Sequence, residues 1–248
     1  GSGNDRLHGD EGDDRLFGDL GSDYLYGGTG DDTIAGDSGN DRLYGQDGND
    51  ILSGGVGDDR LYGAAGNDIG DGGGGDDRLF GGAGDDILNG GDDNDRVHGD
   101  EGSDELSGGE GWDYVFGGVD DDAIYGASGN DRLYGQDGND LLDGGTGNDR
   151  LYGGAGADRL IGNTGQDILF GDGGADVFVF NLTSGADTLR DYEIGIDSLY
   201  FDIAGYSPSN LGFSEDINGD LLIGWDNQSV LIEGLDLNDQ ESLTIYFM

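Results

Sequence analysis

The 248-residue chain has no cysteine and one proline. Without cysteine, no disulfide can staple the fold and no thiol can serve as nucleophile or soft-metal ligand. Positive charge is also scarce: 10 Lys and Arg stand against 55 Asp and Glu, a formal net charge of −45. Such a chain repels nucleic acid, which is excluded as a partner, and repels itself, so it stays expanded unless a counterion neutralises it. Hydrophobic residues make up only 33%, and no apolar run approaches the roughly 20 residues of a membrane-spanning helix. No signal peptide is visible at the start, where the chain opens in mid-unit at Gly1-Ser2-Gly3, as a piece of something longer would. His-Glu-x-x-His and a Gly-rich loop followed by Lys are both lacking. The only histidines are His8 and His98. No catalytic residue is assigned, and the chain is read as non-enzymatic.

What the chain has in abundance is glycine, 57 residues, and aspartate in strict register. Every ninth residue is aspartate: Asp5, Asp14, Asp23, Asp32, Asp41, Asp50, Asp59, Asp68, Asp77, Asp86, Asp95, Asp104, Asp113, Asp122, Asp131, Asp140, Asp149, Asp158, Asp167 and Asp176. The unit is G-G-x-G-x-D-x-U-x with U apolar, nearly clean in Gly81-Gly-Ala-Gly-Asp-Asp-Ile-Leu-Asn89. The fourth-position glycine fails only at Asp93 and Asp120, and the apolar position fails only at Gly70. Low-complexity sequence would let the phase drift; here it holds throughout, as a repeat architecture requires.

The chemistry of the unit points to a hard cation. Glycines at the first, second and fourth positions are expected to allow positive φ and a tight turn that aims carbonyl oxygens at one point. Aspartate adds a carboxylate, and calcium takes six to eight oxygens of both kinds. The residues x-U-x form a short strand with U inward. One apolar side chain per nine residues cannot offset the entropy of ordering nine backbones, so metal-binding energy must become folding energy.

The pattern resembles the RTX, or hemolysin-type, calcium-binding repeats. The resemblance implies an all-β fold: a parallel β-roll, a right-handed solenoid with two nonapeptides per coil, over residues 1–179, with a β-rich cap over 180–248. Two columns of turns then stack, one from Asp5 to Asp167 and the other from Asp14 to Asp176 in steps of 18. Roughly eighteen Ca²⁺ would lie between successive turns, and they would bring the charge from −45 to about −9.

After Val179 the period stops and apolar residues thicken in short β-like runs, from Phe180 to Phe247. A solenoid needs such a cap over its open end. The stretch Gly185-Ala-Asp-Thr-Leu-Arg-Asp-Tyr-Glu-Ile-Gly-Ile-Asp-Ser-Leu-Tyr200 resembles the segment that follows the repeats in serralysin-type proteases and alginate epimerases. The end, Thr244-Ile-Tyr-Phe-Met248, resembles the C-terminus of type I secretion substrates. These resemblances imply a secreted, extracellular or cell-surface protein that meets the type I secretion machinery unfolded and folds in calcium outside.

One face carries a second order with an 18-residue period. Its outward positions read His8, Tyr26, Tyr44, Tyr62, Phe80, His98, Phe116, Tyr134, Tyr152 and Phe170, beside Arg6, Tyr24, Arg42, Arg60, Arg78, Arg96, Tyr114, Arg132, Arg150 and Ile168. Two readings stand: ring and guanidinium ladders that stabilise the sheet, or a ligand face for an acidic polysaccharide, cell-surface glycan or protein module. Candidate glycan-binding residues are Arg42, Tyr44, Arg60, Tyr62, Arg78, Phe80, Arg96, Arg132, Tyr134, Arg150 and Tyr152. A block of 90 residues is also duplicated, with Asn4–Gly12 matching Asn94–Gly102. The parent is expected to be either a secreted enzyme whose active site lies upstream or an adhesin or surface-layer protein.

Overall fold

The computed structural model describes residues 1–204 and 207–247. Two sheets, parallel through the repeats, face each other across a narrow core, one of 14 strands and one of 12, and successive strands from Arg6–Glu11 to Ser198–Phe201 alternate between them. Arg42–Asp47 lies in the first sheet, Ile51–Val56 in the second, and Arg60–Ala65 returns to the first beside Arg42–Asp47. Within the repeats the register is a constant 18 residues, as in Leu43↔Leu61 and Tyr44↔Tyr62. Each coil is therefore two nonapeptides, and the apolar positions of one sheet stack in a single file. From Leu25 to Leu169 the apolar side chains in these files are buried, as is Phe178.

Most strands are longer than three residues. Arg42–Asp47 runs on through Gly45, Gln46 and Asp47, and the last two keep their pairing with Ala64 and Ala65. The ladder survives because the glycine of the first position does not take positive φ. Only the second and fourth positions do, for example Gly82 at 116° and Gly84 at 127°. Non-glycine residues are accepted at both, Gln46 at 85° and Asp93 at 76° among them. The first glycine is invariant for a different reason, given below.

Gly70 lies in the apolar file, where leucine stands one coil earlier and one coil later, at Leu52 and Leu88. A Cβ there would come within 2.8 Å of Leu88 Cδ2, so Leu88 already leans into the gap. The exchange loses most of a buried leucine, about 1.5–3 kcal/mol. Backbone amides of residues 68–76 should exchange with deuterium faster than those of neighbouring coils, and uniform protection through this coil would show that Leu88 fully repairs the loss.

The strand columns run past Val179. Ala186–Leu189 adds to the first sheet and Ser198–Phe201 to the second, in parallel register with Leu169↔Leu189 and Phe178↔Leu199. Gln228–Ile232 pairs parallel with Ala186–Leu189, and two antiparallel strands, Leu221–Trp225 and Gly212–Glu215, close that edge. Ile245–Phe247 closes the other by pairing with Ser198–Phe201. The file of single leucines thereby ends in an aromatic plug in which Trp225 packs 5.8 Å from Phe180 and 5.1 Å from Phe201, and Phe247 lies 5.6 Å from Phe201. Of the apolar residues expected in the cap, Leu182, Ile194 and Tyr246 are exposed. Met248, the end of the segment likened to a secretion signal, lies outside the described residues.

The ring ladder forms along its whole length. Ten rings from His8 to Phe170 stack face to face, with centroids 4.5 to 5.1 Å apart. This follows from the strand spacing, since identical positions one coil apart are held about 4.8 Å from each other. The tyrosines that interrupt the arginine row serve it: Arg96 and Arg132 lie over Tyr114 from either side, 5.3 and 5.0 Å from its centroid.

Candidate metal centre

The turn aspartates form two continuous columns. In each, the carboxylate Oδ1 accepts the backbone N–H of the aspartate one coil before it. Asp41 Oδ1 accepts from Asp23 N at 2.7 Å, and Asp95 Oδ1 from Asp77 N at 2.8 Å. From Asp23 to Asp176 every one of these side chains is buried; Asp5, on the first coil, is exposed. The columns include two residues that the nine-residue frame does not reach. Asp187 Oδ1 accepts from Asp167 N at 3.1 Å, and Asp197 Oδ1 from Asp176 N at 3.0 Å. Spacings of 20 and 21 residues hid them, although Gly185-Ala-Asp-Thr-Leu189 and Gly195-Ile-Asp-Ser-Leu199 both keep the G-x-D-x-U core of the repeat.

The other carboxylate oxygen is the informative one. Nineteen Oδ2 atoms, those of Asp14 to Asp167 in the frame and of Asp187, are buried with no hydrogen-bond partner. A buried anionic oxygen without a partner costs several kcal/mol, and a row of them is a donor set suited to cations. Those of Asp14 to Asp167 each point into a space that only glycine leaves open. A Cβ on Gly27 would sit 2.1 Å from Asp32 Oδ2 and 2.8 Å from the Gly45 carbonyl oxygen of the next coil, and one on Gly81 would sit 2.1 Å from Asp86 Oδ2 and 2.9 Å from the Gly99 carbonyl. The first glycine is thus required for room, because carboxylate and carbonyl oxygens converge where its side chain would be. No three acidic or imidazole side chains converge among the described residues, so any cation here draws much of its shell from the backbone. A mixed shell of carboxylates and carbonyls is the donor set of calcium, and too hard for zinc or copper.

In the middle of the columns burial pushes carboxyls far above their ordinary 3.8: Asp59 and Asp68 to about 7, Asp95 and Asp149 to about 8. Repulsion between successive members of a column adds to the rise, as Asp77 and Asp113 do at Asp95. Asp167 and Asp187, the last pair of the first column, are also pushed up by burial. The second column ends differently. Asp197 Oδ2 accepts from Glu193 N at 2.7 Å, so its final carboxylate is already satisfied by protein.

A second ladder lies outside the first. The residue before each aspartate often accepts the backbone N–H of its counterpart one coil later: Asn49 Oδ1 from Asn67 N at 2.8 Å, Asp76 Oδ1 from Asn94 N at 3.1 Å. The inner ladder donates toward the C-terminal coil and the outer one toward the N-terminal coil, so each turn is tied on both sides. The frequent Asn and Asp at this position were the available signal.

The arginines and rings considered for glycan binding, Arg42 to Tyr152, share one face of the first sheet. The ion pairs among the described residues join the N-terminal amine to Asp5 and Asp19 and Arg190 to Glu233, and none involves the arginine row.

The family pattern described as the RTX calcium-binding nonapeptide repeat matches residues 1–34, 35–70 and, in overlapping stretches, on to 189. No curated protein matches the chain. Solved structures similar to it include a subunit of the mannuronan C5-epimerase from Azotobacter vinelandii, at 24% identity and a TM-score of 0.33, covering 62% of this chain and 77% of that one. Another is the extracellular lipase LipA of Serratia marcescens, at 20% identity and a TM-score of 0.29, covering 91% of this chain and 45% of the lipase. The nine-residue frame, the parallel coils and the open carboxylate columns agree with the family match, which spans well over half of the sequence: the chain belongs to the RTX calcium-binding nonapeptide repeat family.

Proposed function

We propose that this calcium-binding module is the folding device of a larger secreted protein, which leaves the cell as an expanded chain through a type I secretion system and becomes a rod on meeting extracellular calcium. The observation that carries this reading is the two rows of buried, partnerless Oδ2 atoms, which make the coil costly without ions and stable with them. With Asp187 and Asp197 added, each column holds eleven aspartates and ten gaps, so about twenty ions form the ceiling. The chain itself carries no catalytic group in this reading, and any enzymatic or adhesive activity lies elsewhere in the parent.

Calcium titration followed by circular dichroism tests it. Folding should be cooperative, with a midpoint between about 10⁻⁴ and 10⁻³ M, the range of extracellular calcium modules. A chain already folded at submicromolar calcium would be unable to stay expanded inside a cell, and the secretion reading would fail. A second reading, that the ordered face of the first sheet also binds an acidic glycan, is favoured by an arginine row without carboxylate partners among the described residues, in a chain of net charge −45.

A further inference from the structure

Trp112 is the one large aromatic residue placed against the logic of the outer ladder. Its position is otherwise held by residues such as Asn94, Asn130 and Asn148, and Asn130 Oδ1 accepts the backbone N–H of Asn148 at 2.8 Å. The Trp112 backbone N–H donates to Asn94 Oδ1 at 3.1 Å, but its side chain has no oxygen to accept from Asn130 N. The duplicated block supplies an internal comparison: its counterpart 90 residues earlier, Gly21-Ser-Asp-Tyr-Leu-Tyr26, carries Ser22 where Gly111-Trp-Asp-Tyr-Val-Phe116 carries tryptophan. Ser22 Oγ does accept the next coil's N–H, from Asn40 at 3.3 Å. The exchange gave up a ladder bond, and the indole did not gain burial in return, since Trp112 is 65% exposed while Trp225 is 2% exposed.

What the indole gains is company. Trp112, Tyr114, Arg78 and Arg96 line one groove of about 220 Å³ together with Asn94, Asp76 and two aspartates of the inner column, Asp77 and Asp95, whose carboxylates face calcium in the loaded chain. That is below the roughly 300–1,000 Å³ of pockets for drug-sized ligands and suits a single ring. Neither arginine is in an ion pair among the described residues. The ladder rings cover one another's faces, so a ligand meets only their edges. Trp112, by contrast, offers an open face, and a flat apolar surface beside a guanidinium fork matches the C–H face and carboxylate of an acidic sugar. Asn94 and Asp76 supply an amide and a carboxylate for hydroxyls.

We propose that this groove is a subsite for one uronic acid residue of an acidic glycan, with Trp112 under the pyranose ring and Arg96 and Arg78 on the carboxylate. This rests on the glycan-face reading above and names its anchor. The calcium-loaded chain is titrated with a galacturonic acid trisaccharide and with the corresponding neutral galactose trisaccharide. Trp112→Ser installs the residue that the duplicate block carries and returns an acceptor to the ladder, so its fold and calcium midpoint should be kept. Expected results are binding of the acidic sugar, at least tenfold weaker binding of the neutral one, and at least tenfold loss on Trp112→Ser and on Arg96→Gln, each tenfold being about 1.4 kcal/mol. If Trp112→Ser binds as tightly as the parent while Arg96→Gln does not, the arginine face stands and the Trp112 subsite is wrong. Equal binding of both sugars overturns the acidic class, and no binding of either sugar overturns the subsite and the glycan face together.

Discussion

Chelation of calcium at neutral pH is expected to abolish the solenoid as a whole, turning a β-rich rod into an expanded coil by circular dichroism and by hydrodynamic radius. The size of the effect follows from how the carboxylates are used. From Asp23 to Asp167, and again at Asp187, a column aspartate spends one oxygen on the neighbouring coil's N–H and buries the other without a partner. Neutral pH then leaves an ion-free coil two options, to bury a row of charges or to take up protons. Carboxyls pushed to about 6–8 in the ion-free fold bind protons that the unfolded chain, at about 3.8, does not. A raised carboxyl of this kind favours the fold fully below the unfolded value, and its contribution is lost as pH rises through the folded value. The ion-free coil should therefore be least stable at and above neutrality, and acidification toward pH 4 should return part of the β signal without calcium. Circular dichroism at neutral pH that is indifferent to EGTA, with metal removal verified, contradicts this account of what holds the coils together.

Much of this was legible in the sequence because the chemistry repeats. A period of nine with glycine and aspartate at fixed places sets the coil length, the inward position and the inner ladder, and in the first sheet the 18-residue register holds from Arg6↔Tyr24 to Arg150↔Ile168 before the step lengthens to 20 at Ile168↔Thr188. The ring ladder was legible for the same reason, since equal residues at equal positions must stack. Three things were not. The role of the first glycine is steric rather than conformational, and only the approach of Asp86 Oδ2 and the Gly99 carbonyl to the Gly81 position reveals it. Asp187 and Asp197 escaped because loops lengthen the spacing while leaving the coil intact. The cap topology, with Gln228–Ile232 returning over more than 30 residues to pair with Ala186–Leu189, depends on contacts that no local pattern encodes.

Those last two features make the cap the second place where a large effect is expected. A solenoid gains stability mostly from the interface between neighbouring coils, so the first coil to form has little to hold it. In this chain the repeats bury one apolar side chain per unit, whereas the C-terminal end buries Phe178, Phe180, Phe201, Trp225 and Val230 together. Among the described residues it is the part that buries most apolar surface together, and it presents Asp187 and Asp197 at the positions that receive the N–H groups of Asp167 and Asp176. Asp197 is fixed from behind by Glu193 N, and the Tyr192 hydroxyl donates to the Asp197 carbonyl oxygen at 2.9 Å, so this end of the second column is set by protein contacts alone. Removing residues 180–248 takes away the template and leaves the Asp167 and Asp176 amides without their acceptors. The truncated chain 1–179 should need at least tenfold more calcium to fold, or fail to fold at millimolar calcium, a shift of about 1.4 kcal/mol or more. Asp187→Asn tests the same step without deleting the plug: it keeps an acceptor for Asp167 N but removes a charge from the last gap of the first column, and it should raise the calcium midpoint by a smaller factor. A truncated chain with an unchanged midpoint would mean that coils nucleate within the repeats and that the aromatic plug merely seals the end.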